Sequence, residues 1–258
     1  MMSTYRFGVA GRNLSILGAI FCLGVLAAPM SGQDSKPAED PKKKALAEAM
    51  IGLDKAVKEK SDLDILQFSK LVSDQYPNGD KAQQDLAVDK LGKALKAAKS
   101  PEAHGGIVDS IAKTGGKAAS ILVAELDSEI GKKNLPVYCA ALKGLGLLKD
   151  EKSIPILVKA LKHKDDDAIA AAATALGNFR DSKVDQKKTL FEEILKVYSP
   201  IESAAQKSGA TTTAKQKHEK LAPVFEAALG ALTQKQGPKN AFEWDQWYRK
   251  EGKKAETW

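Results

Sequence analysis

Cysteine is almost missing from this chain. Its two cysteines, Cys22 and Cys139, lie in different kinds of sequence. Cys22 sits inside an apolar N-terminal run, so a chain without that run has one thiol, no intrachain disulfide, and a stability that must come from packing. Cys139 falls on the apolar face of a helical pattern, where a small buried residue is the ordinary reading and a reactive thiol is not. Histidine is equally sparse: His104, His163 and His218 have no partner three or four residues away, which withholds support from a histidine metal site. Arginine is confined to Arg6, Arg12, Arg180 and Arg249, so the basic excess, 40 Lys+Arg against 33 Asp+Glu, is almost wholly lysine. Lysine lacks the planar fork that reads phosphate and base edges in pairs, and nucleic acid is therefore a poor candidate partner. No phosphate loop, nucleophile elbow or paired-cysteine motif occurs. The Asp165–Asp167 run lacks the spaced ligands of a calcium loop and sits where a helix N-terminus favours anions. No catalytic residue, cofactor or metal is expected.

The first residues read as a targeting leader. Arg6 and Arg12 are the only charges before Asp34, and the apolar run Leu14–Ala28 that follows them is short for a spanning helix. Val25-Leu26-Ala27 and Met30-Ser31-Gly32 offer cleavage sites, so residues 1–32 read as a signal peptide, with a retained anchor as the alternative. Cys22 follows Phe21 within the run, which disfavours a lipoprotein site. The expected location is periplasmic or extracellular, with no membrane span in the mature chain. Residues 33–44, QDSKPAEDPKKK, have no apolar period and read as a flexible polar linker.

What is abundant is helical periodicity, and in one stretch it repeats. GLGLLKD at Gly144–Asp150 returns as ALGNFRD at Ala175–Asp181, a spacing of about 31 residues that signals stacked helix pairs. Val137, Ala141, Leu142, Leu145 and Leu148 form one apolar stripe. A polar turn follows, then a second helix with Ser153 as its expected cap, Pro155 in its first turn, and Ile154, Leu157, Val158 and Leu161 on its buried face. The third helix, Ala168–Phe179, is mostly alanine, and Gly177–Asn178 reads as its stop.

Val137, Ala140, Ala141, Leu145, Gly146, Asp150, Pro155, Leu157, Ala160 and Leu161, and then Ala172, Ala175, Leu176, Gly177 and Asp181, resemble the HEAT repeat family, in particular the bacterial HEAT-like repeats associated with bilin lyases. The resemblance implies an all-α solenoid of the armadillo/HEAT type, and an exported bacterial protein carrying such repeats. Where that family places an arginine that ties the turns together, this chain has Tyr138 and Ile169.

The rest of the chain extends this plan. Residues 45–99 carry three helical patterns without the Ala-Leu-Gly signature, and read as an N-terminal cap or as degenerate repeats. HEAT-like repeats are expected over 100–233. One of their helices is expected to end at Ser199–Pro200, leaving the polar stretch 201–217 as an insertion or a frayed helix. Residues 234–258 hold Phe242, Trp244, Trp247 and Tyr248, expected to close the last repeat as an aromatic cap with a charged tail.

Two functions remain open from the sequence. The first is a non-enzymatic scaffold that binds a protein or peptide on its second-helix surface, with Lys159, Lys162, Lys188, Glu192 and Lys196 as contacts. The second is a bilin-lyase-like enzyme or small-ligand chaperone, for which the repeat resemblance is the support.

Overall fold

The computed structural model of the protein describes residues 41–115, 117–256 and 258. The leader 1–32 and most of the polar linker lie outside the described residues. In chain order the helices are α1 (Pro41–Glu59), α2 (Asp62–Gln75), α3 (Lys81–Ala97), α4 (Pro101–Ala112), α5 (Ala118–Asp127), α6 (Glu129–Lys133) and α7 (Leu135–Leu148). They continue as α8 (Ile154–Ala160), α9 (Asp166–Gly177), α10 (Val184–Gln206), α11 (Thr212–Thr233) and α12 (Ala241–Trp247). No strand occurs among the described residues. Helix α1 begins at Pro41, so the last residues of the stretch read as linker are helical.

The helices pack in two rows. Helices α2, α4, α7, α9 and α11 stack in series as the first row, while α1, α3 and α5, and further on α8, α10 and α12, line the second. This is the all-α solenoid pattern of stacked helix pairs that the repeats imply. One hydrophobic core runs between the rows, from Leu46 and Leu53 to Trp244. The residues of the apolar stripes fill it: Val137, Ala141, Leu142 and Leu145 are buried on α7, and Leu157 and Leu161 at α8.

The Ala-Leu-Gly signature has a steric cause. A Cβ on Gly146 would lie 2.4 Å from the Cα of Ala175, and one on Gly177 would lie 3.0 Å from the Cα of Ala228. The glycine in each signature therefore lets its helix cross the next first-row helix at backbone distance. Gly177 keeps right-handed helical geometry, and α9 runs into a 3-10 turn at Asn178–Asp181 rather than stopping at a left-handed glycine.

Local chemistry differs from the sequence reading at three more places. Ser153 makes no side-chain cap to α8; its hydroxyl donates to the Asp150 carbonyl, and the Asp150 carboxylate caps the short turn before α8. Helix α10 does not end at Ser199–Pro200 but continues through Pro200 to Gln206. A proline inside a helix costs about 3 kcal/mol, and packing of Tyr198 in the core and Ile201 against it, on either side, opposes that cost. The polar stretch 201–217 is thus the end of α10, a short turn, and the start of α11.

Candidate functional site

The first-row helices leave a groove on their outer side. Cys139, Ala140 and Lys143 of α7, Ala170, Ala171 and Thr174 of α9, and Val224 of α11 line a depression of about 580 Å³, with Asp109 of α4 at its edge. A second depression of about 340 Å³ shares Thr174 and Val224 and runs on past Gly177, Pro223, Ala227 and Ala231. The two form one channel across three helices, floored on α9 by Ala170, Ala171, Thr174 and Gly177, with Leu135 and Pro136 of α7 and Pro223 of α11 also lining it. The alanines of α9 explain it: with a methyl on most sides, the helix packs closely inward and leaves nothing tall outward. Thr174 turns its hydroxyl back to the Ala170 carbonyl at 2.9 Å, so its donor is already paired within α9.

Charge is arranged around this floor. At the N-terminus of α9, Asp166 pairs with Lys217 at 2.9 Å and Asp167 with Lys220 at 2.7 Å. The aspartate run therefore ties α9 to α11, beyond its place at a helix N-terminus. Asp109 and Lys143 enter no ion pair among the described residues, and stand as an unpaired anion and cation beside the channel. Cys139 is half-buried on the channel wall rather than within the core. Burial, and then the nearby Asp167 carboxylate, push its thiol up from the ordinary cysteine value, so it is held protonated.

The lysines expected to contact a partner fall elsewhere, on the second row. Lys159 and Lys162, at the end of α8, are exposed. Lys188 is half-buried and donates to the carbonyls of Lys253 and Ala255, at 3.0 and 2.7 Å. Glu192 accepts the Tyr248 hydroxyl at 2.7 Å, and Lys196 pairs with Glu193. Lys188 and Glu192 therefore anchor the tail that follows α12. Their spacing along the sequence suggested an open face, and the tail that returns over α10 carried no signal for it.

The aromatic segment divides in the same way. Phe191 of α10 is the centre of a cluster, with ring centroids 5.9 Å from Trp244, 5.8 Å from Trp247, 4.8 Å from Tyr248 and 5.4 Å from Trp258. Trp244 and Tyr248 are buried and Trp247 partly so, whereas Phe242 is 65% exposed and takes no part in the packing. Phe191 and Trp258 complete what the sequence segment alone could not delimit.

Among the described residues no group of three or more His, Cys, Asp or Glu is placed to hold a metal ion, and no helix is long and apolar enough to cross a membrane. In comparison with known protein families, residues 129–208, from α6 to just past the end of α10, match HEAT repeats. No curated protein matches the chain.

Proposed function

We propose that this HEAT-repeat protein is a non-enzymatic scaffold that holds an extended polypeptide segment in the channel across α7, α9 and α11. The observation that carries this reading is the low floor, mainly alanine with Thr174 and Gly177, that runs from the side of α4 and α7, where Asp109 and Lys143 stand without ion pairs, across α9 to α11. A low floor admits a polypeptide backbone lying flat, and the two charges of opposite sign at its α4/α7 side favour a segment that carries charged groups there. Repeat stacks present such extended surfaces without a deep pocket. The leader read over residues 1–32 makes the scaffold an exported one, and N-terminal sequencing of protein recovered from its native host should begin between residues 28 and 33.

The enzyme reading needs a nucleophile or a general acid at a ligand pocket. The thiol in the channel, Cys139, is shifted toward its protonated form, which disfavours a role as nucleophile.

Selection from a display library of short unstructured peptides tests the groove. Thr174 and Ala227 are exposed, so the double variant Thr174→Trp, Ala227→Trp fills the channel while leaving the core unchanged. Peptides selected on the wild type should lose roughly tenfold or more in affinity for it and bind the Lys159→Glu, Lys162→Glu variant as before. Equal binding to the filled channel would remove the groove from the account.

A further inference from the structure

A second cavity lies on the other row of helices, between α3 and α5, and its argument does not rest on the peptide channel. It encloses about 540 Å³. Leu86, 47% exposed, stands at its mouth, and Ile121 and Ala124 face it from α5. Glu125, only 5% exposed, also lines it. One carboxylate oxygen of Glu125 lies 2.8 Å from His104 Nδ1. The other accepts no hydrogen bond from any described residue, and the side chain keeps a small accessible area. A ligand that covers this oxygen displaces its water and must donate to it or leave it unpaired, which favours a ligand with a donor at that point.

The surrounding charges narrow the ligand. His104 Nε2 lies 3.1 Å from the Ala98 carbonyl, so both ring nitrogens face acceptors and the ring is an imidazolium. With Lys93 and Lys96 on the rim it outweighs Asp89 and Glu125, which disfavours a cationic head group. An anionic head group would meet the Glu125 carboxylate at the base. A neutral aromatic donor meets none of these objections: its ring packs on Leu86 and Ile121, its N–H or O–H reaches Glu125, and the rim lysines can sit over the ring face.

We propose that the α3/α5 cavity binds a neutral aromatic ring bearing one hydrogen-bond donor, an indole or a phenol. Such a ring arrives either as a free small molecule or as a tryptophan or tyrosine side chain. Methyl-labelled full-length protein, titrated by nuclear magnetic resonance with 3-methylindole, should show shifts at Leu86, Leu95 and Ile121. Methylation of the indole nitrogen, in 1,3-dimethylindole, should weaken binding roughly tenfold or more, because the carboxylate oxygen that the ring covers is then left unpaired. The variant Leu86→Asp, at the exposed mouth, should abolish the shift at Ile121 without changing the thermal melt. N-acetyl-tryptophanamide separates the sources: binding equal to that of 3-methylindole assigns the site to a polypeptide side chain, and binding of 3-methylindole alone assigns it to a free aromatic. Equal affinity for the N-methylated indole, shifts with n-butylamine in place of the indoles, or no shift with any probe would overturn the proposal.

Discussion

His104 shows what a single residue can carry in this fold. It is buried with Glu125, 21 residues away on the neighbouring helix, and the hydrogen bond to that carboxylate raises its pKa above the ordinary 6.5 even though burial works against it. The sign follows from linkage: the folded state binds the proton more tightly, so the pair's contribution is fully present below pH 6.5 and is lost as pH rises through the elevated folded value. Removing one partner of a buried charge pair costs about 3–5 kcal/mol. Urea denaturation of wild type and His104→Gln should differ by that order below pH 6.5, and the gap should narrow as pH rises. A gap constant across that range would remove the charged pair from the account. None of this was legible in the sequence, where three isolated histidines argued only against a metal site. A partner on another helix leaves no local spacing to read.

At the scale of the element, the repeat signature was legible because it is steric. Apolar stripes at three- and four-residue steps gave the helices, and the glycine of Ala-Leu-Gly gave their close crossing. Two helical glycines make the point testable by contrast. A Cβ on Gly146 would press on the backbone of Ala175, whereas one on Gly105 meets nothing within 4 Å. Gly146→Ala should lower stability by about 1–3 kcal/mol through forced separation of α7 and α9, and Gly105→Ala should raise it by about 0.5–1 kcal/mol through helix propensity. Thermal melts of the two variants check both signs, and a neutral Gly146→Ala would deny that the signature exists for close approach. The sequence misled where tertiary packing overrides a local breaker. Pro200 reads as an end, yet α10 continues, with Ile201 beyond it packed against the core and the Glu202 carboxylate accepting the backbone N–H of Phe242 at 3.3 Å.

At the scale of the molecule, the described chain is a series of helix pairs with different surfaces on its two rows. The second row is closed toward its C-terminal part by the aromatic cluster on Phe191, with Lys188 and Glu192 holding the tail in place. The first row keeps a continuous channel over α7, α9 and α11. Sequence reasoning reached the stacking and proposed a contact surface on the second row, whereas the channel lies on the first. It read the alanines of α9 as inward packing, and their outward consequence, a low floor between neighbouring helices, needs the neighbours in place to be seen. The central claim is that a polypeptide lies in this channel. Site-specific photo-crosslinking in the native host tests it most directly, with the crosslinker placed singly at Thr174, Ala227, Lys159 or Lys162. The account predicts one discrete adduct from Thr174 and Ala227, competed away by a library-selected peptide and absent from both lysine positions. An adduct formed from Lys159 and Lys162, with none from Thr174 or Ala227, would contradict it.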